Sequence, residues 1–113
     1  MIVNLLNVCS CDFLEMRLLF VVSTEGRLRD VMGLSEAAVR RRHDVTVFFN
    51  EDSVKLLRRP SPVESLYADL LACRSSAMDY GIGKVDMVAN ARMSSLAELV
   101  ELLEGSDRVV FLG

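Results

Sequence analysis

The stretch MRLLFVVS, residues 16–23, decides how the rest of this chain is interpreted. Its centre, residues 18–22, is an unbroken run of apolar side chains, and polar residues follow it at once. An apolar run of this length is typical of a β-strand that is buried on both faces. The stretch therefore predicts an inner strand of a sheet that is covered on both sides.

Helix-like and strand-like segments alternate after this first strand. A helix is predicted over residues 29–43, and its inner face is formed by Val31, Leu34, Ala38 and Val39. The β-branched and aromatic residues of DVTVFF (44–49) predict a second strand. Residues 51–58 predict a short helix, with Asn50 as its N-cap.

The same alternation continues to the end of the chain. LYADLLAC (66–73) predicts a third strand, or a strand preceded by a turn, and residues 75–80 predict a short helix ended by a glycine. KVDMVAN (84–90) predicts a fourth strand, and DRVVFL (107–112) predicts a last one.

The clearest helix is predicted in MSSLAELVELLEG, residues 93–105. Its apolar face follows helical spacing through Leu96, Leu99, Val100 and Leu103. Ser95 and Glu98 have the spacing of a capping box at its start.

Regular alternation of strands and helices predicts the fold class. It is typical of a three-layer α/β/α domain with a mostly parallel sheet of about five strands, as in flavodoxin-like and Rossmann-like folds. We predict one such domain over residues 16–113. Residues 1–15 lie outside the pattern, and a flexible tail, an added strand or an upstream start codon would each explain them.

Composition limits the classes of function. The 113 residues carry 13 basic and 16 acidic side chains, so no overall positive field favours nucleic acid. No apolar run approaches the roughly 18 to 20 residues that span a bilayer, and the N-terminus lacks the basic region of a signal peptide. Three cysteines form no secreted disulfide framework, so a reducing cytoplasm is the predicted compartment.

Two of the cysteines, Cys9 and Cys11, lie in the N-terminal extension. A metal site needs about four ligands, and the chain holds no second cysteine pair and a single histidine, His43. We therefore predict no metal site, and we interpret these two thiols as incidental.

The third cysteine, Cys73, ends the predicted third strand just before a short helix. Reactive sites of open α/β sheets lie beyond the carboxyl ends of the strands. That position would expose the sulfur at the edge of the sheet, near the unpaired N–H groups of the helix, and would favour the nucleophilic thiolate. The residues alone leave a second interpretation equally open, in which Cys73 is a small hydrophobic core residue.

Neighbouring residues complete the candidate site. Arg74 would supply a nearby cation, and Ser75 and Ser76 would donate hydrogen bonds to a charged sulfur. Thr24 and Glu25 follow the first strand and would line a cleft beside the cysteine, while Tyr80 lies within two helical turns of it. One glycine in the loop after the first strand is too few for a nucleotide-binding motif.

The segment CRSSAMDYGIG (73–83) resembles the active-site stretch of the DsrE/DsrF-like sulfur-relay family. That family has a cysteine followed by a helical turn rich in small residues. The matching residues are Cys73, Ser76, Ala77, Gly81 and Ile82. Residues 16–24, 40–54 and 93–112 are similar to the family's first strand, its helix-to-second-strand segment and its final helix and strand.

Three residues depart from the family's pattern. Tyr80 stands where many members have Arg, which removes one cation near the site. Ser53 and Arg42 each stand where a Gly is usual.

The resemblance implies a function and an assembly. Cys73 would accept sulfur as a persulfide from a donor protein and pass it to an acceptor thiol, without metal or organic cofactor. The family's domains form homo-oligomers, so a trimer or hexamer is implied. The alternative is a binding or assembly module of the same fold that carries out no thiol chemistry.

Overall fold

A computed structural model describes residues 15–113 of the chain. It contains one sheet of five strands: β1 (Arg17–Val22), β2 (Asp44–Phe49), β3 (Asp69–Cys73), β4 (Ala91–Ser94) and β5 (Arg108–Leu112). Their order across the sheet is β4-β3-β2-β1-β5, and every neighbouring pair is parallel. The predicted parallel sheet of about five strands is confirmed.

Helices connect the strands. Residues 15–113 contain three α-helices: α1 (Leu28–Arg40), α2 (Arg74–Asp79) and α3 (Leu96–Gly105). Short 3-10 helices occupy Glu25–Arg27, Glu51–Leu57, Pro62–Ser65 and Lys84–Asp86. None of the helices within residues 15–113 is long and apolar enough to cross a membrane.

Alternation of side chains along the strands divides the interior into two cores. The larger core lies on the face that packs against α1 and α2, and it includes Phe20, Val22, Val47, Phe49, Val31 and Ala77. The smaller core lies on the opposite face and consists of Leu19, Val21, Phe48, Leu71 and Cys73, against which Leu99, Leu102 and Val109 pack. Helices therefore cover both faces, as the predicted three-layer architecture requires.

The fourth strand lies later in the chain than predicted. Residues 84–90 form a 3-10 helix and a loop, and the strand is Ala91–Ser94. Met87 and Val88 are buried in the larger core from that loop, so their apolar character serves packing and not strand pairing. As an edge strand, β4 pairs with β3 alone and needs few apolar residues of its own.

Helix α3 is rotated relative to the prediction. Leu99 and Leu102 face the sheet, whereas Leu96 and Val100 of the predicted apolar face are 58% and 53% exposed. A smaller correction concerns α1, where Ser35 is buried and Leu34 is exposed. In both helices the apolar pattern is wider than the contact with the sheet, so spacing alone does not fix the inner face.

Some of the predictions lie outside the described residues. They concern the extension up to residue 14, including Cys9 and Cys11.

Helices α1 and α2 end in the same hydrogen-bonded turn. After α1, the amide of His43 donates to the carbonyl of Ala38 (3.1 Å), and that of Arg42 donates to Val39 (2.9 Å). This Schellman motif requires a left-handed residue, and Arg42 occupies it at φ 66°. After α2 the same place is taken by Gly81 at φ 67°. Arg42 is thus an L-residue where the backbone favours glycine.

Replacing Arg42 by glycine should stabilise the domain. We expect Arg42→Gly to raise the free energy of unfolding by about 1 kcal/mol, because glycine has no Cβ to crowd the left-handed conformation. Urea unfolding measures the change. Arg41→Gly is the matched control, since Arg41 has a φ of −91° and gains nothing from glycine. Equal effects of the two substitutions would contradict this explanation.

Candidate functional site

The parallel arrangement brings the carboxyl ends of β1, β2 and β3 to one edge of the sheet. Cys73 is the last residue of β3, and its partner in register on β4 is Ser94. The segments that leave β1 and β2 at this edge begin with Ser23 and Asn50, whose side chains share a hydrogen bond of 2.7 Å between Oγ and Oδ1. The candidate site is therefore built from four neighbouring strands.

Cys73 is buried at this edge, with 4% of its surface exposed. The prediction of an exposed sulfur is wrong for this arrangement. Side chains alternate along a strand, so Cys73 shares the face of Leu71 and belongs to the smaller core. Helix α2 starts directly after Cys73 but sends Ala77 into the larger core on the other face. The thiol therefore lies in apolar surroundings and forms no capping hydrogen bond to α2.

The three residues after Cys73 do not surround its sulfur in the predicted way. Arg74 and Ser75 are exposed on the first turn of α2. The hydroxyl of Ser76 accepts a hydrogen bond of 2.8 Å from the amide of Glu51. Ser76 thus joins α2 to the segment after β2.

Thr24 and Glu25 also help to join the loops at this edge. The Thr24 hydroxyl caps the 3-10 helix Glu25–Arg27 by accepting from the Gly26 amide at 3.2 Å. The Glu25 amide donates to Oδ1 of Asp52 at 3.0 Å, and its carboxylate lies 3.5 Å from Nζ of Lys55. The segments after β1 and β2 are therefore connected by polar contacts.

Tyr80 meets a cation that sequence reasoning missed. Nζ of Lys55 lies over the Tyr80 ring, 4.8 Å from its centre, within the range of a cation–π contact. No local sequence pattern signals this contact, because the two residues lie on different helical segments of the chain.

Ser53, at a position where the related pattern has glycine, is completely buried. Its hydroxyl donates to the Val22 carbonyl at 2.6 Å and lies 2.7 Å from the Asn50 carbonyl. The added side chain is thus satisfied by the backbone that leaves β1 and β2, and it holds these segments together.

A polar cluster beside Cys73 joins β4 to the first turn of α3. Oε1 of Glu98 accepts from the Ser94 hydroxyl at 2.5 Å, and its two oxygens lie 3.2 and 2.7 Å from Nη1 and Nη2 of Arg92. The Glu98 amide donates to the Ser95 hydroxyl at 3.1 Å, which is half of the predicted capping box. The Glu98 carboxylate does not complete the capping box, because it is hydrogen-bonded to Arg92 and Ser94.

These contacts shift the titration of both charged groups. The hydrogen bonds from Arg92 and then Ser94 hold the pKa of Glu98 below its ordinary value of 4.5. The hydrogen bond to Glu98 raises the pKa of Arg92. Glu98 therefore stabilises the fold above its ordinary pKa, and this contribution is lost as the pH falls through the lower folded value.

The stability contributed by Glu98 should depend on pH. We expect Glu98→Gln to be less stable than wild type at neutral pH, and the difference should disappear in acid as wild-type Glu98 is protonated. Urea unfolding at a series of pH values measures it. Glu104→Gln, in the same helix, controls for the loss of one carboxylate. A difference between wild type and Glu98→Gln that stays constant into strong acid would contradict the assignment.

The opposite edge of the sheet carries a different set of polar groups. His43 lies there and accepts a hydrogen bond at Nδ1 from the Met16 amide (3.1 Å). A cavity of about 290 Å³ at that edge includes Asp44, Asp69 and Glu101 in its lining. Within residues 15–113, no three Cys, His, Asp or Glu side chains are grouped so that they could hold a metal ion.

Comparison with solved structures relates the fold to known proteins. The crystal structure of the YchN protein from E. coli matches with a TM-score of 0.65 at 18% identity, covering 86% of this chain and 100% of that one. A protein of unknown function from Methanobacterium thermoautotrophicum, MTH1491, matches with a TM-score of 0.70 at 16% identity, covering 84% of this chain and 98% of that one. At these identities the matches show the fold alone.

Comparison of the sequence itself decides the family. No curated protein matches the chain. The family model of the DsrE/DsrF-like family matches residues 16–112, which is nearly the whole described region. From the first strand to the last, this chain is therefore a member of the DsrE/DsrF-like family.

Proposed function

We propose that this protein is a small sulfur carrier that holds sulfur as a persulfide on Cys73. The observation that carries the proposal is the position of Cys73, the last residue of β3 at the carboxyl edge of a parallel sheet. Sites of open α/β folds lie at that edge. Membership in the DsrE/DsrF-like family, which is broadly associated with sulfur relay, supports the same chemistry.

The transfer is an exchange between a thiol and a persulfide, and it involves no net oxidation or reduction. The Cys73 thiolate attacks the outer sulfur of a donor persulfide, a new S–S bond forms, and the donor leaves as a thiolate that takes up the proton lost by Cys73. An acceptor thiolate then attacks the outer sulfur on Cys73 and releases the Cys73 thiol. The partners are sulfur donor and acceptor proteins, no cofactor takes part, and a reducing cytoplasm suits the chemistry.

A single modification test decides the chemistry. The protein is incubated with a cysteine desulfurase and cysteine, and its intact mass is measured without reductant. We expect one added sulfur atom per chain, which is lost on treatment with a thiol reductant and absent from Cys73→Ser.

The other cysteines provide the matched control. The Cys9→Ser/Cys11→Ser variant should retain the full label, because it keeps Cys73 as the single thiol of the chain and Cys73 is the residue that carries the sulfur. A label that persists in Cys73→Ser and disappears from Cys9→Ser/Cys11→Ser would overturn the assignment to Cys73.

A second candidate function is a binding or assembly module without thiol chemistry. The burial of Cys73 in the smaller core favours it, because a buried thiol cannot meet a donor protein unless its cover opens. In that case the desulfurase leaves no sulfur on any variant, and Cys73 reacts with thiol reagents only as fast as the whole domain unfolds. Formation of a persulfide on Cys73 under native conditions excludes this candidate.

We further propose that the chain forms a homo-oligomer, a trimer or a hexamer, through the outer surface of α3. Leu96 and Val100 on this helix are mostly exposed, and Phe111 on the edge strand β5 is 67% exposed. Large apolar side chains in this number on one side of a small domain are typical of a surface that another chain covers. A second copy is the occupant proposed here.

A charge placed on this surface should separate the subunits. We expect Val100→Glu to convert the assembly to monomers in size-exclusion chromatography with light scattering, because a carboxylate would be buried without a partner. Val85→Glu is the control, since Val85 is exposed in the 3-10 helix Lys84–Asp86. A wild-type monomer, or equal dissociation by both substitutions, would contradict this interface.

A further inference from the structure

Helix α3 is held to the domain more loosely than its neighbours. None of its residues is fully buried, whereas α1 buries Val31, Ser35 and Ala38. Leu99 and Leu102 reach the smaller core, and of the three α-helices that the structure describes, α3 alone contributes to it. Lifting α3 would therefore uncover the cluster that contains Cys73 and leave the larger core intact.

The polar cluster at the start of α3 is the other connection that would have to break. We call Arg92, Ser94 and Glu98 the latch. Two of its members are on β4, and Ser94 is the direct neighbour of Cys73 in the sheet, so the latch fixes the first turn of α3 close to the thiol. Its Arg92–Glu98 pair has two N–H to oxygen contacts, a geometry that orients the helix as well as attracting it.

We propose that, in a subunit whose α3 is not covered by a second copy, α3 is a movable cover over Cys73 and that the latch holds it closed. Glu98 and Arg92 are then positioning residues, which act on the thiol through the helix and do not touch it. The proposal rests on the proposed function, because it supplies the access that sulfur transfer to a buried thiol requires. Local opening of this kind costs less than global unfolding, since a loosely packed helix separates while the larger core remains folded.

The rate at which Cys73 reacts with a small aromatic disulfide reagent measures the opening. A Cys9→Ser/Cys11→Ser/Val100→Glu background leaves Cys73 as the single thiol and α3 free of a second copy, and size-exclusion chromatography verifies that the variants compared are all monomers. We expect Glu98→Gln and Arg92→Gln each to accelerate labelling roughly three- to fivefold, the most that an exposed ion pair is worth. The double variant should be no faster than the faster single variant, because either change breaks the same pair.

Two controls separate local opening from general destabilisation. Glu104→Gln removes a carboxylate from the same helix outside the latch and should leave the rate unchanged. Val31→Ala weakens the larger core, so it lowers global stability and should not accelerate labelling. If Val31→Ala does not fold, low urea replaces it, because local opening responds weakly to denaturant and global unfolding responds strongly.

The results have opposite consequences. Faster labelling in both latch variants, with a weak response to urea, supports the cover. A rate that is unchanged in Glu98→Gln, or that follows global stability, overturns it. The assay involves no sulfur donor, so a failed cover is distinct from a failed sulfur carrier, whose test is the persulfide mass.

Discussion

The period of two along the parallel strands is the constraint from which the site follows. Because side chains alternate, Leu71 and Cys73 point to one face of the sheet, while Leu70 and Ala72 point to the other. Because all five strands run the same way, the loops after three of them meet at the edge where Cys73 lies. Helices α1 and α2 cover one face of the sheet, and α3 covers the other. The position of Cys73 in its strand therefore also decides which helix covers it.

The departures from the family's pattern are accommodated by contacts within this chain. Ser53 uses its hydroxyl to bind the backbone that leaves β1 and β2. Tyr80 takes the place of a cation, yet the ring lies under Nζ of Lys55 and thereby keeps a positive charge beside α2. Lys55 in turn lies near the carboxylate of Glu25. The loop edge therefore remains a connected polar surface although two of its usual residues have changed.

Sequence reasoning succeeded where one physical signal dominates. The buried strand β1 is a continuous apolar run, β2 is rich in β-branched and aromatic residues, and the turn after α2 is marked by a glycine, Gly81, that the left-handed backbone favours. It failed at β4, where an edge strand with the sequence ARMS carries no apolar run and the nearby Met87 and Val88 are buried from a loop. Such a strand is defined by its partner, β3, and pairing between distant residues leaves no local pattern.

The position of Cys73 in the sheet was predicted, whereas its exposure was misjudged. Placement at the carboxyl edge depends on strand order and direction, which the alternation of elements predicts. Exposure depends on which face the side chain takes and on the rotation of α3, and both change with a shift of one residue. Sequence reasoning also missed Lys55, Ser94 and Arg92. Their partners are 4 to 30 residues away, and no motif joins them.

Burial of the thiol and a role in sulfur transfer are compatible only if the cover can open. A persulfide loses its outer sulfur to any thiolate that reaches it, so a carrier gains from enclosing it between transfers. A permanently closed core would prevent exchange, because the attacking thiolate needs access to the outer sulfur. The domain meets both requirements if the protected state is held by few contacts. The smaller core, with one loosely packed helix and one polar latch above Cys73, has that construction, whereas the larger core does not.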